Sequence, residues 1–308
     1  MNLMQDKIDI VYIWVDGSDS IWKQKRKESY ESIQDTSILS EYANVDGRFR
    51  DNGELKYSLR SLEKYFPDHW NIYIITDDQI PSFLKKDSDI QIISHRDFIP
   101  NDKLPTFSSR KIEAFVPFIE SISDTFMLMN DDMFIWPEFS LDDFITQDKI
   151  ISYFNKEKEI DITESITYSD YTTHILRKKY PRYSKDSCIP CHAPKMIIKQ
   201  EYMNMIKEFS VEFQKLSQQI FREKLSSSLV WDLYSRWMIH HNKWIDGWNK
   251  WLYISTSGGW YDVLIQKFNN LPFFCINDTS DNDNQDSSLL NISQVLEKLF
   301  PNKSSFEK

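Results

Sequence analysis

The chain has 308 residues, of which 41% are hydrophobic and 15% aromatic, so a disordered or low-complexity polypeptide is excluded. It contains only 6 glycines, and neither G-x-G-x-x-G nor G-x-x-x-x-G-K-[ST] occurs, which excludes common Rossmann dehydrogenases and P-loop NTPases. A formal net charge of -10 argues against nucleic acid as a partner, because nucleic-acid-binding domains usually carry a basic excess.

The N-terminal segment and the cysteine count predict a cellular location. Residues 1–7 lack the basic region of a signal peptide, and no stretch approaches the ~20 apolar residues that a membrane span needs. Three cysteines (Cys188, Cys191 and Cys275) make a poor disulfide framework. We therefore expect a cytoplasmic protein with no transmembrane segment.

Apolar runs in the first half of the chain predict four buried strands, each followed by a polar cluster. The runs are residues 8–15, 71–76, 90–94 and 125–129. Helical patterns at 54–65 and 108–119 lie between them, and this alternation is typical of an α/β fold with a mostly parallel sheet flanked by helices. Ligands in such folds bind beyond the carboxyl ends of the strands, where these polar clusters would lie.

The second half of the chain is less regular. We expect an inserted irregular or helical excursion, or a lid, at residues 150–190 within a single catalytic domain spanning 1–308. The later elements are predicted as helices at 199–209 and 226–242, a loop at 255–259, a strand at 273–276, a solvated acidic stretch at 279–288 and a last helix at 289–300.

The strongest local signal is Asn130-Asp131-Asp132, directly after a predicted strand. Two adjacent carboxylates at a strand end suit a divalent cation bound to a diphosphate, because hard cations prefer oxygen ligands and bridge phosphate oxygens. A simple strand-terminating turn explains the same residues, since Asp and Asn favour turns. The spacing alone does not decide between a cation site and a turn.

Dense charge surrounds a predicted helix start at residues 48–60, with Asp51 or Asn52 as the N-cap. A helix N-terminus flanked by arginines can receive a phosphate. The alternative is an ordinary capped helix with a solvated face.

Cys188-Ile189-Pro190-Cys191-His192 matches the C-x-x-C-H pattern of covalent haem and could also offer zinc ligands. Haem of this type implies export, and a structural zinc site needs a fourth ligand, so we expect neither. His192 is more interesting as a lone base, because imidazole titrates near neutrality. A purely structural histidine is the alternative.

Four blocks of the sequence, in order, resemble the characteristic regions of the Stealth family. Residues 9–17 (DIVYIWVDG), 48–60 (RFRDNGELKYSLR) and 104–109 (LPTFSS) leading to 130–134 (NDDMF) resemble the first two regions, residues 192–196 (HAPKM) the third, and residues 274–278 (FCIND) with Phe300-Pro301 the fourth. The resemblance covers most of the chain outside the 150–190 excursion.

This resemblance implies a sugar-1-phosphate transferase with a GT-A-like fold. The family comprises bacterial capsule and cell-wall polysaccharide enzymes and the catalytic subunit of the lysosomal-enzyme GlcNAc-1-phosphotransferase. An acceptor hydroxyl would attack the β-phosphorus of a UDP-sugar, releasing UMP and forming a phosphodiester with a transferred hexose-1-phosphate or N-acetylhexosamine-1-phosphate. The partners would be a UDP-sugar donor and a glycan acceptor, and a lipid-linked acceptor would require peripheral contact with the inner face of the membrane.

The resemblance also implies the site residues. The catalytic residues would be His192, Asp132, Arg222 and Asp278. Arg222 is placed by a 30-residue spacing after His192 and lacks the acidic neighbours associated with that block. Asp131, Asp132 and Asp278 would bind Mg²⁺ or Mn²⁺. The donor would contact Trp14, Asp16, Gly17, Arg48, Asp51, Asn52, Arg60 and Asn130.

Two other functions stay open at this point. A metal-dependent GT-A glycosyltransferase would share the donor, the cation and the fold, but would release UDP. A noncatalytic carbohydrate-binding protein would use the abundant aromatic side chains, although the clustered Asp, Arg and His residues disfavour it.

Overall fold

A computed structural model describes most of the chain. The described residues are 8–67, 69, 71–137, 139–146, 149–156, 163–183, 188–247, 251–255, 271–278 and 287–308. Among the helices in these ranges, none is both long enough and apolar enough to cross a bilayer.

Strands and helices alternate through the first half of the chain, and strands from the second half join them. The strands are β1 (Asp9–Ile13), β2 (Ile72–Thr76), β3 (Gln91–Ser94), β4 (Thr125–Asn130), β5 (Met133–Ile135), β6 (Ile145–Thr146), β7 (Lys149–Lys156), β8 (Cys188–Pro190), β9 (Lys195–Ile198), β10 (Trp244–Gly247), β11 (Trp251–Ser255) and β12 (Phe273–Asn277). The α-helices are α1 (Ser20–Glu31), α2 (Glu54–Tyr65), α3 (Ser109–Phe115), α4 (Thr163–Lys179), α5 (Lys199–Glu208), α6 (Ser210–Gln218), α7 (Ser235–His240) and α8 (Ser287–Leu299).

A five-stranded sheet with the order β3-β2-β1-β4-β9 forms the centre of the fold. The first four strands are parallel, and β9 runs antiparallel to β4. Strands β1 and β2 are buried along their whole length, which explains their near-continuous apolar sequences. The predicted α/β fold with a mostly parallel sheet is confirmed.

The register of the sheet brings the polar strand ends together. Ile13 at the end of β1 lies opposite Ile75 on one side and Asn130 on the other. The residues that follow β1, β2 and β4 therefore meet at one edge of the sheet. This edge carries the candidate site.

A smaller sheet returns the C-terminal part of the chain to the same edge. Strand β12 lies between β11, to which it is parallel, and β5, to which it is antiparallel, with Cys275 opposite Met133. The backbone N–H of Ile276 donates to the carbonyl of Asp132 at 3.0 Å. Asn277 and Asp278 consequently lie beside the β4–β5 turn. Asn277 is 145 residues away from Asp132 in sequence.

Within the segment expected to be an irregular or helical excursion, the structure places strands as well as a helix. Strand β7 pairs with β6, β8 and β10, and α4 lies between β7 and β8. The pairing of β7 with β10 joins residues about 95 positions apart, such as Ile150 and Trp244, so no local pattern could reveal it. That residues 150–190 form a lid stays a prediction. That residues 1–308 form a single catalytic domain stays a prediction too.

One helical prediction in the last third of the chain differs in detail from the structure, and two neighbouring predictions lie largely outside the described residues. The expected helix at 226–242 begins as a π-helix at Leu229–Tyr234 and continues as α7. Of the predicted loop at 255–259, only Ser255 lies among the described residues, at the end of β11. Of the acidic stretch at 279–288, residues 279–286 lie outside the described residues.

The final residues pack against α2. A buried aromatic and aliphatic cluster joins the C-terminal segment to the first half of the chain through Tyr57 of α2, Phe134 of β5 and Phe300 after α8. The Arg60 guanidinium donates to Glu307 from Nε at 2.7 Å and to the carbonyl of Phe300. The last residues thus hold α2 in place, and the loop before α2 lies on the edge of the site.

Candidate active site

A cleft opens at the carboxyl edge of the sheet. One part of its wall is aromatic and includes Trp14, Trp22 and Phe107. The other part is polar, and the charged or amide side chains that line it are Arg48, Arg50, Glu54, Asn130, Asp131, Asp132, His192, Arg222, Asn277 and Asp278. A ligand with an apolar ring and a charged portion matches this division.

Asp132 is held in the tight turn between β4 and β5. Its Oδ2 accepts a hydrogen bond from Asn277 Nδ2 at 2.9 Å and from the Cys275 thiol at 3.3 Å. Asn277 is oriented in turn by the Tyr253 hydroxyl, which donates to its Oδ1 at 3.1 Å. The carboxylate therefore has a fixed direction.

His192 faces this turn from the segment between β8 and β9. Its Nε2 lies 3.2 Å from Asn130 Nδ2 and 3.5 Å from Asp132 Oδ1. The ring stacks on Trp231 with a centroid distance of 5.5 Å and an interplanar angle of 14°. Nε2 carries at most one lone pair, so an Asn130 N–H that donates to it occupies that lone pair, and a substrate hydroxyl can use Nε2 only by displacing the amide.

The two adjacent carboxyl groups differ in acidity. Burial and the neighbouring carboxylates of Asp132 and Glu54 raise the pKa of Asp131 well above its ordinary value. Burial opposes ionisation of Asp132 too, but His192 and the donors Asn277 and Cys275 outweigh it and lower the pKa of that carboxyl. Asp132 is thus the member of the pair that carries charge most readily.

Three arginines line the cleft together with the carboxylates. Arg50 Nη1 binds Asp278 Oδ2 at 2.7 Å, and both side chains are nearly buried. Arg222 donates to the hydroxyl of Ser109 at the start of α3, and Arg48 also lines the cleft. Guanidinium groups in a cleft suit a phosphate-bearing ligand.

Parts of this site fit a divalent cation. Asn130 Oδ1 and Asp132 Oδ1 are buried and accept no hydrogen bond from the part of the chain that the structure describes. Oxygen atoms of this kind are the ligands that Mg²⁺ and Mn²⁺ prefer. Asp131 and Asp132 fit a cation better than Asp278, because Asp278 Oδ2 already binds Arg50.

The structure brings most of the predicted catalytic and metal-binding residues to one cleft. Asp131, Asp132, His192, Arg222 and Asp278 all line it, although up to 147 positions separate them in sequence. Of the residues predicted to contact the donor, Trp14, Arg48 and Asn130 line it as well.

Four predicted donor contacts lie just behind the cleft wall. Gly17 packs against the backbone of Phe49, to which its N–H donates at 2.8 Å. Asp16 binds Gln79 through its backbone. Asp51 accepts from the N–H of Gly53, and Asn52 donates to Glu54. These contacts shape the loops that carry the lining residues.

Arg60 is placed elsewhere. Its side chain is 5% exposed and binds Glu307, Glu297 and the carbonyl of Phe300. It lies outside the group of cleft-lining residues. The geometry gives Arg60 a structural role, because its donors are engaged by the C-terminal segment.

The sequence analysis missed several residues of the site. Arg50, Cys275 and Asn277 line it or support Asp132, and long-range pairing places them there. Glu113 lies on the buried side of α3, where burial raises its pKa beside Arg222, and its Oε2 accepts no hydrogen bond from the described residues. An acidic residue within the apolar pattern IEAF was the available signal for Glu113.

Two family models match parts of this chain. A model described as Stealth protein CR2, conserved region 2, matches residues 48–153, and one described as Stealth protein CR4, conserved region 4, matches residues 265–308. Among curated proteins, the capsular polysaccharide phosphotransferase fcs1 of Haemophilus influenzae is 30% identical over 292 residues, covering 90% of this chain and 79% of that protein.

Other relatives carry similar names. The receptor polysaccharide phosphotransferase WefC of Streptococcus oralis is 28% identical over 98% of this chain and 99% of that protein. A capsular polysaccharide phosphotransferase of Actinobacillus suis is 38% identical over 187 residues, and the aligned part spans about half (50%) of that relative's length. Among solved structures, the galactosyltransferase LgtC aligns over 97% of both chains with a TM-score of 0.47 and 8% identity.

Proposed function

Because the chain belongs to the Stealth family, we propose that it is a sugar-1-phosphate transferase. It transfers a hexose-1-phosphate or an N-acetylhexosamine-1-phosphate from a UDP-sugar to a hydroxyl of a glycan. The products are UMP and a phosphodiester within a capsule or cell-wall polysaccharide. The names of its relatives, which are polysaccharide phosphotransferases, support this proposal.

One observation carries the proposal. A histidine, a carboxylate of lowered pKa and three arginines line a single cleft. Phosphoryl transfer depends on positioning and charge neutralisation more than on covalent chemistry from the protein. This arrangement supplies both.

In the proposed reaction, the acceptor oxygen forms a bond to the β-phosphorus and the bond from that phosphorus to the oxygen of UMP breaks. His192 Nε2 accepts the proton of the acceptor hydroxyl, and Asp132 stabilises the resulting imidazolium from 3.5 Å. Arg222, Arg48 and Arg50 offset negative charge on the phosphates.

A divalent cation fits beside these groups. Asp131 and Asp132, with Asp278 as the third predicted ligand, would hold Mg²⁺ or Mn²⁺, which when bound neutralises charge on the diphosphate. The Asn130 amide lies 3.2 Å from His192 Nε2, and in the proposed reaction the acceptor hydroxyl takes its place on that nitrogen.

The aromatic part of the cleft accommodates the uridine. Trp14 follows β1 and lines this part together with Trp22 and Phe107. Asp16, Gly17, Asp51 and Asn52 position the loops around the donor. Acceptors attached to a lipid would bring the enzyme to the inner face of the cytoplasmic membrane.

The proposal is tested by identifying the nucleotide released from a panel of UDP-hexoses and UDP-N-acetylhexosamines in the presence of a glycan acceptor. We expect UMP, in amounts equal to the product. His240→Ala is the matched control, because His240 lies on an exposed helix end outside the cleft, and it should release UMP at the wild-type rate. Release of UDP would instead identify a glycosyltransferase.

A further inference from the structure

We propose that Asp132, His192 and Cys275 form a binding site for a thiophilic divalent cation such as Zn²⁺, and that its occupation switches the enzyme off. Inhibition rests on the proposed function, whereas cation binding does not. The site differs from the predicted Mg²⁺ site because it includes a sulfur ligand and shares with that site only Asp132.

The three ligand atoms already have nearly the required spacing. Cys275 Sγ lies 3.3 Å from Asp132 Oδ2, and His192 Nε2 lies 3.5 Å from the other oxygen of that carboxylate, Oδ1. With one ligand atom taken from each residue, the three atoms lie within 4.8 Å of one another. Bond lengths of about 2.0–2.3 Å to a tetrahedral Zn²⁺ imply ligand separations of roughly 3.4–3.6 Å. Small side-chain adjustments are therefore sufficient.

Each ligand is held by a different part of the fold. Asp132 lies in the β4–β5 turn, Cys275 lies on β12 opposite Met133, and His192 is stacked on Trp231. Asn277 donates to Asp132 and so orients its carboxylate. Outer contacts of this kind fix the direction of metal ligands and strengthen binding.

The ligand chemistry favours a soft cation over Mg²⁺. Sulfur and imidazole ligands select Zn²⁺, whereas Mg²⁺ prefers oxygen. On binding, the S–H bond of Cys275 breaks, a Zn–S bond forms and the proton passes to the solvent. A thiolate, a carboxylate and a neutral imidazole balance the charge of the cation, and the cleft leaves the fourth position open for water.

Occupation of this site removes two groups that the reaction needs. The Nε2 lone pair of His192 is bound to the metal and can no longer accept the proton of the acceptor. Asp132 can no longer face the donor phosphates. A micromolar thiophilic cation should therefore inhibit turnover even in the presence of millimolar Mg²⁺.

The direct test uses Co²⁺ as a spectroscopic substitute for Zn²⁺, added to the purified full chain without donor or acceptor. We expect one equivalent to produce a thiolate-to-cobalt charge-transfer band that Zn²⁺ abolishes. Cys275→Ser should eliminate this band. Cys191→Ser is the matched control, because Cys191 is also a buried thiol but does not belong to the group formed by Asp132, His192 and Cys275, and it should retain the band.

His192→Ala provides a second test that leaves the buried thiol and its packing intact. It should weaken Zn²⁺ binding by more than about 10-fold, since even the loss of an outer contact costs that much. An unchanged band in Cys275→Ser, or unchanged Zn²⁺ affinity in folded His192→Ala, would overturn the site. A thiolate band in a protein that never releases UMP would uphold the site and refute the proposed function instead.

Discussion

At the scale of single residues, His192 and Asn130 determine where a proton can move in the cleft. The amide of Asn130 lies 3.2 Å from His192 Nε2, and Trp231 holds the ring in place from one face. The sequence could offer only a lone histidine after a cysteine, because neither contact is local. The resemblance to a family supplied the role that the residue pattern left open.

Replacing His192 with Ala should lower kcat by roughly 10²–10⁴, the usual loss when a positioned acid or base is removed. Donor binding should survive, because the arginines and the aromatic wall of the cleft stay in place. Steady-state rates and a donor-binding titration measure the two effects separately. A His192→Ala enzyme of wild-type rate would leave Asp132 as the candidate base.

Asp132 gives the second prediction at this scale. Its buried Oδ1, which accepts no hydrogen bond from the described residues and lies 3.5 Å from His192 Nε2, and the lowered pKa of its carboxyl make Asp132 the favoured cation ligand of the cleft. A chelator should abolish turnover, and Mg²⁺ or Mn²⁺ should restore it in the wild type. Asp132→Asn keeps the size of the side chain but loses the charge, so added cation should recover little of its activity. Full activity in excess chelator would disprove a cation requirement.

At the scale of elements, apolar runs predict the strands that are buried on both faces. Strands β1, β2 and β4 follow directly from such runs, whereas β7, β8 and β10 depend on pairing across long sequence separations. The same limit applies to the site, since β12 brings Cys275 and Asn277 to Asp132 only through the register with β5. The local sequence pattern therefore predicts which edge of the sheet carries the site, but it does not predict that Cys275 and Asn277 lie there.

The loop after β1 and the segment before α2 meet at Gly17, which gives a prediction about both elements. A Cβ at this position would lie 2.1 Å from the carbonyl oxygen of Phe49, a backbone atom that cannot rotate away. Gly17→Ala should lower the free energy of unfolding by about 1–3 kcal/mol, as overpacking does. It should also raise the KM for the donor, because residues 47–50 carry Arg48 and Arg50.

Urea denaturation and donor kinetics measure these two effects of Gly17→Ala. Ser18→Ala is the control, because Ser18 is exposed next to Gly17 and its change should move neither quantity appreciably. Unaltered stability and KM in Gly17→Ala would mean that the Phe49 segment adjusts without consequence.

At the scale of the whole molecule, the last residues of the chain stabilise the helix beside the active site. Arg60 is the central contact, with ion pairs to Glu307 and Glu297. The family resemblance predicted that Arg60 contacts the donor, whereas in the structure its guanidinium binds residues of the C-terminal segment. An arginine in a charged motif is ambiguous in sequence, because its partners here lie more than 200 positions away.

Arg60→Gln should lower the free energy of unfolding by about 3–5 kcal/mol, the usual cost of leaving a buried charge unpaired. The KM for the donor should stay unchanged at temperatures where the variant is folded. Lys27→Gln is the control, because it removes only an exposed pair with Glu31 and should change stability by less than about 1 kcal/mol. A raised donor KM with normal stability would return Arg60 to the donor site.

The central claim for the whole molecule is that the bond to the β-phosphorus is broken on the nucleotide side. The most direct measurement follows a UDP-sugar labelled with ³²P at the β-phosphorus into its products. The account predicts that the label enters the glycan as a phosphodiester and that the released UMP is unlabelled. Label found in UDP, with a glycan that contains no phosphorus from the donor, would contradict it.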